Sequence, residues 1–136
     1  MSSTVIVSEN GRGRYQQEVI IDGRHHLIAD EPENVGGDGA GPAPFDFLMA
    51  GLGACTAMTL RMYAERKELA VTRISVALSH GKVDADGKKL DLIERHITLE
   101  GNLTPEERQR CLEIANKCPV HRALQQPLMV ETALVA

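Results

Sequence analysis

Most of the chemical reactivity available to this chain lies in three cysteines, Cys55, Cys111 and Cys118. A thiolate is a nucleophile, a metal ligand and a redox centre, whereas a buried neutral thiol is a small inert hydrophobe. Cys55 lies within a run of small and apolar residues at helical spacing. Position alone makes it a core residue, and any activation must come from its neighbours, because a helix centre offers no N-terminal dipole. Cys118 precedes Pro119 and stands three residues before His121, where a helix must break. A redox role there competes with a capping or core role. The Cys118-x-x-His121 spacing could supply two metal ligands, but the chain offers no second pair at suitable spacing, which argues against zinc. Cys111, two helical turns before Cys118, reads as structural.

The elements that must position these thiols follow from local patterning. Thr4–Ser8, Tyr15–Ile21 and Arg24–Ala29 read as three antiparallel strands, with Asp22-Gly23 as a hairpin turn. Residues 30–44 form a Gly-, Pro- and Asp-rich connector that lacks the Gly-Lys-Ser/Thr ending of a phosphate-binding loop. From Phe45 to about Lys67 the pattern is helical, with Leu48, Leu52, Cys55, Thr59 and Met62 expected on one buried face. Val71–His80 and Leu90–Glu100 alternate as a long hairpin, placing Ile74, Val76, Leu78, Ile93, Ile97 and Leu99 inward. Thr104-Pro105-Glu106-Glu107 starts a second helix, ending near Lys117. A short turn over His121–Gln125 and a closing strand over Leu128–Val135 complete an α+β order.

Bulk properties narrow the function classes. The 136 residues fit a single domain, 1–136, with 43% hydrophobic residues for a core built from Leu, Ile, Val, Ala and Met. A net charge of −4, without a basic cluster, argues against a nucleic-acid partner. The stretch Met1–Val7 lacks the marks of a secretory signal, and Phe45–Leu60 is shorter than a bilayer span of ~20 residues. An odd number of cysteines in such a chain argues against a structural disulfide framework and for a reducing, cytoplasmic setting.

Two separated segments carry a resemblance. Gly41-Pro42-Ala43-Pro44-Phe45-Asp46-Phe47-Leu48-Met49-Ala50-Gly51-Leu52-Gly53-Ala54-Cys55, continuing through Thr56-Ala57-Met58-Thr59-Leu60, and the later Cys118-Pro119-Val120-His121-Arg122 resemble the signature of the OsmC/Ohr family, the osmotically inducible and organic-hydroperoxide-resistance proteins. The resemblance extends over most of the chain, and the element order agrees with it. It implies an OsmC-like α+β fold in an intertwined homodimer with active sites at the subunit interface. Cys55 matches the family's peroxidatic thiol and Cys118 the thiol that resolves it. The thiolate takes one peroxide oxygen to give an alcohol and a sulfenic acid, which Cys118 converts to a disulfide. A dithiol, a protein-borne lipoyl group in hydroperoxide-resistance members, restores the pair. The resemblance implies no metal, haem or flavin cofactor.

A buried thiol needs a cation to ionise. The family's arginine, from the N-terminal strand region, is best matched by Arg12, then Arg14, with Arg24 at a hairpin tip a weaker match. The family's Glu directly after Pro is replaced by Phe45, and the nearest acid, Asp46, is displaced by about 100° around the helix. Asp46 therefore reads equally as a helix-start acid satisfying backbone donors, and Asp30 and Glu31 are candidate replacements. This pattern is closer to an OsmC-like branch than to the dedicated hydroperoxide reductases. Phe45, Phe47, Leu48, Leu52 and Met58 supply apolar surface near Cys55, which favours alkyl or lipid peroxides over hydrogen peroxide. The other reading is a non-peroxidatic family member, acting in thiol transfer, redox sensing or small apolar ligand binding.

Overall fold

The computed structural model describes residues 4–136, so Met1–Ser3 of the leader reading lie outside the described residues. The chain divides into two compact units, 1–48 and 49–136. In the first, β1 (Val5–Glu9), β2 (Gln17–Ile21) and β3 (His25–Ala29) form an antiparallel sheet in sequence order. The β2–β3 turn uses Asp22 and Gly23, both with positive φ (57° and 65°), the backbone that an Asp-Gly hairpin requires.

The connector after β3 is ordered by one carboxylate. Asp30 is buried and accepts the backbone N–H groups of Glu31 (2.8 Å), Asp38 (3.1 Å) and Ala40 (3.0 Å). These bonds, that from Ala40 above all, outweigh desolvation and hold its carboxyl below the usual range. Asp30 is thus occupied with folding the loop.

Helix α1 (Pro44–Arg66) begins at the end of the first unit and runs through the second. Its buried residues are Leu52, Thr56, Leu60, Tyr63 and Ala64. The expected face was centred on Cys55; the observed one is centred on Thr56, and Leu48 and Met62 are exposed. Small residues at all but one position from Ala50 to Ala57 leave the helical period weakly marked. Thr56 tolerates burial because its hydroxyl donates to the Leu52 carbonyl at 2.7 Å. At 23 residues α1 is longer than the apolar stretch read from the sequence, and by length and composition it could cross a bilayer. Its Leu60 and Tyr63 are buried in the core of the second unit.

The second unit continues with β4 (Val71–Ala85) and β5 (Lys88–Gly101), one long antiparallel hairpin. Asp86 and Gly87 form its two-residue turn, again with positive φ (49° and 74°). Helix α2 (Pro105–Ala115) opens with a full capping box: Glu107 N–H donates to Thr104 Oγ1, and Thr104 N–H donates to the Glu107 carboxylate. The core joins Leu60 and Tyr63 of α1 to Cys111, Ile114 and Ala115 of α2, with Leu69, Ile74, Ile97 and Leu99 packed around them. Cys111 is buried within this core, at 2% exposure.

Two expectations near the C-terminus are corrected. Residues Pro119–Gln125 form a helix, α3, instead of a turn, because Pro119 at its first position follows a capping side chain at Cys118. The closing strand over Leu128–Val135 is not formed. A strand exists only through a partner, and the sheet of this unit contains β4 and β5 alone, so alternating apolar residues stay exposed.

Candidate functional site

The candidate site of the second unit is assembled from α1, β5 and the α2–α3 junction. Helix α1 brings Cys55 and Thr56 side by side. Helix α2 ends at Ala115, and the chain turns through Asn116 and Lys117 to Cys118, which is fully buried. Cys118 has extended backbone (φ −65°, ψ 142°), and its sulfur accepts the His121 N–H at 3.3 Å, serving as the N-cap of α3.

Two groups bond the Cys118 sulfur: the His121 N–H at 3.3 Å and Thr56 Oγ1 at 3.8 Å, with the Cys55 thiol nearby. Cys55 is partly accessible and Cys118 buried, and none of the three cysteines is in a disulfide. Burial opposes ionisation of Cys118. The His121 N–H, Cys55, Thr56 and the charge of Arg95 together outweigh it and hold the thiol below its ordinary range. The buried Cys111 behaves in the opposite way: desolvation, with the Glu107 charge adding to it and Arg108 opposing, pushes it up.

Arg95 is the residue that sequence reasoning missed. It lies on β5 between Ile93 and Ile97, on the inward face, and is half-buried. Its Nη1 donates to Thr56 Oγ1 at 3.0 Å and to the Ala115 carbonyl at 3.4 Å, while Nη2 donates to Asn116 Oδ1 at 2.8 Å. The signal was present: a cation at an inward position of an alternating strand needs a polar reason to be there. His121 is held below its ordinary value by burial and then by Arg95, so it is neutral at neutral pH.

The other expected site residues are placed as follows. Asp46 Oδ2 accepts the Ala43 N–H at 2.9 Å, the helix-start role that competed with catalysis. Phe45 is exposed, Phe47 half-buried and Leu52 buried. Arg12 lies in the exposed turn between β1 and β2, where its N–H donates to Asn10 Oδ1, and Arg14 stacks on Tyr15 at 5.1 Å. Arg24 is exposed beside the Asp22-Gly23 turn. Among the described residues, no three His, Cys, Asp or Glu side chains converge as metal ligands would.

Comparison with known proteins places this geometry. Residues 36–133 match the sequence profile of the OsmC-like protein family. No curated protein sequence matches significantly. Among solved structures, an organic hydroperoxide resistance protein OsmC from Legionella pneumophila, also described as a regulator of sulfide bond formation, superposes with a TM-score of 0.72 at 20% identity, covering 92% of this chain and 90% of that one. An organic hydroperoxide resistance protein from Elizabethkingia anophelis superposes at 0.71 and 23% identity, covering 94% and 91%. The organic hydroperoxide resistance protein OhrB of Bacillus subtilis gives 0.65 at 20% identity, covering 94% and 93%. At these identities the likeness establishes an OsmC-like α+β fold.

Proposed function

Because the chain belongs to the OsmC-like protein family, we propose that it is a cysteine-based peroxidase that reduces organic hydroperoxides through Cys55 and Cys118. The observation that carries this reading is the neighbouring thiol pair, in which Cys55 is partly accessible and Cys118 is buried. An accessible thiolate takes the peroxide oxygen, releasing an alcohol and leaving a sulfenic acid on Cys55. Cys118 then attacks that sulfur, expels hydroxide and closes the disulfide, and a dithiol such as a protein-bound lipoyl group reduces it. Phe45, Phe47 and Leu52 supply the apolar contacts for the substrate, and Arg12 and Asp46 enter through the family resemblance as activators of Cys55. In this reading residues 1–136 act as one OsmC-like domain in a cytoplasmic homodimer. The exposed Leu48, Met58 and Met62 of α1 supply apolar surface for the second copy.

The test is direct. Cumene or tert-butyl hydroperoxide at modest excess oxidises Cys55 rapidly, and mass spectrometry then finds a Cys55–Cys118 disulfide. Absence of that bond would refute the proposal. A second reading, a non-peroxidatic thiol-transfer or ligand-binding module, is favoured by Phe45 at the family's Glu position and by the engagement of Asp46 with Ala43. Alkylation of Cys55 titrating near an unperturbed ~8.5 favours that module, and a markedly lower midpoint favours the peroxidase.

A further inference from the structure

We infer that Arg95, acting through Thr56, holds Cys118 as the thiolate that leaves when the Cys55–Cys118 disulfide is reduced, which directs the incoming thiol to Cys55. This rests on the thiol pair of the preceding section and assigns its two sulfurs different roles in reduction. The geometry is asymmetric. Cys118 is enclosed and collects the His121 N–H at 3.3 Å and Thr56 Oγ1 at 3.8 Å. Cys55 is the partly accessible member of the pair.

The charge on Arg95 is left available for this task. Its acceptors are a hydroxyl, a backbone carbonyl and an amide oxygen, all neutral. Among the described residues no carboxylate forms an ion pair with it, whereas Arg110 is paired with Glu113. Of the other basic side chains at the junction, Lys117 and Arg122 are exposed and His121 is kept neutral, so they do not share the role. A guanidinium that donates to Thr56 polarises the hydroxyl. When Cys118 ionises, that hydroxyl turns from the Leu52 carbonyl to the sulfur. Thr56 thereby passes the effect of a cation that itself makes no bond to the thiol.

The exchange balances without a further reactant. A reductant thiolate attacks the Cys55 sulfur, forming a new S–S bond to Cys55 as the old one breaks. The electron pair of the broken bond goes to Cys118, which leaves as a thiolate and needs no proton. The second thiol of the reductant then attacks its own sulfur in the mixed disulfide and releases Cys55, which takes up a proton; the reductant is oxidised to a disulfide. The lower the pKa of the leaving thiol, the faster this runs and the more oxidising the disulfide.

The test uses the full chain oxidised with diamide, so it is independent of peroxide turnover. The disulfide is equilibrated with dithiothreitol buffers and read by alkylation and mass spectrometry. Thr56→Val keeps the Arg95 clamp on Ala115 and Asn116 but removes the relay. It should shift the equilibrium on the order of tenfold toward the disulfide, the size of one hydrogen bond to a charged group. Arg95→Gln should shift it in the same direction, and Arg95→Lys should recover part of the loss. A merely structural role would lower the unfolding midpoint and leave the equilibrium in place. In wild type, limiting glutathione should be found on Cys55 with Cys118 free. An unchanged equilibrium in Thr56→Val, or glutathione on Cys118, overturns the inference. A disulfide that forms with diamide but never with peroxide sinks the peroxidase reading and leaves this one standing. Failure of diamide to form the disulfide sinks both.

Discussion

Raising the pH of the reduced protein should first stabilise and then destabilise it, with two cysteines setting the two directions. Burial opposes ionisation of Cys118, but the His121 N–H, Cys55, Thr56 and Arg95 prevail, so its native pKa lies below that of an unfolded thiol, about 8.5. Between those two values the unfolded chain still holds a proton that the native protein has released. Stability therefore rises with pH, by at most about 1.36 kcal/mol per pH unit for one group. The gain is complete above about 8.5 and is lost as pH falls through the native pKa. For Cys111 the sign reverses. Burial, helped by Glu107, raises its native pKa. Above about 8.5 the unfolded thiol ionises and the native one does not, so stability falls with the same limiting slope. Urea unfolding followed by circular dichroism from pH 6 to 10, with a phosphine reductant, measures both. The difference between wild type and Cys118→Ser should grow below about pH 8.5 and then level, and Cys111→Ala should remove part of the alkaline fall. A Cys118→Ser curve that stays parallel to wild type from pH 6 to 8.5 would refute the reasoning.

Other expectations are simpler to read. Leu60→Ala, at a fully buried position between α1 and α2, should cost about 3–5 kcal/mol in urea unfolding. Thr104→Ala breaks the capping box and should cost about 1 kcal/mol with no change in thiol chemistry. Asp46→Asn keeps an acceptor for the Ala43 N–H but removes the charge; a slower Cys55 oxidation at unchanged stability supports the catalytic role, and unchanged oxidation leaves only the helix-start role. Cys118→Ser should leave a Cys55 sulfenic acid that dimedone captures after peroxide treatment, and Cys55→Ser should abolish turnover.

What could be read from the chain depended on how local the determining interactions are. Asp22-Gly23 and Thr104-Pro105-Glu106-Glu107 specify their turn and cap within a few residues, and each forms as expected. The alternation of β4 and β5 was equally plain, and it placed Ile93 and Ile97 inward. The same alternation places Arg95 inward, but its purpose depends on Thr56, Ala115 and Asn116, from three other places in the chain. The buried face of α1 was misjudged by one residue because Ala and Gly fit either side of a helix. The closing strand failed for a different reason: an apolar alternation states which residues would share a face and says nothing of which partner accepts the ladder.

The capping bond of Cys118 has a consequence for anyone scanning this junction by mutation. The sulfur that would exchange electrons is also the atom that starts α3. Replacing it with Ala is thus a folding mutation and a chemical one in a single codon, and the loss of activity would have two authors. Ser separates them, because it keeps an acceptor for the His121 N–H while removing the thiol. A ranking of residues by alanine tolerance would place Cys118 high for a reason partly unrelated to redox chemistry.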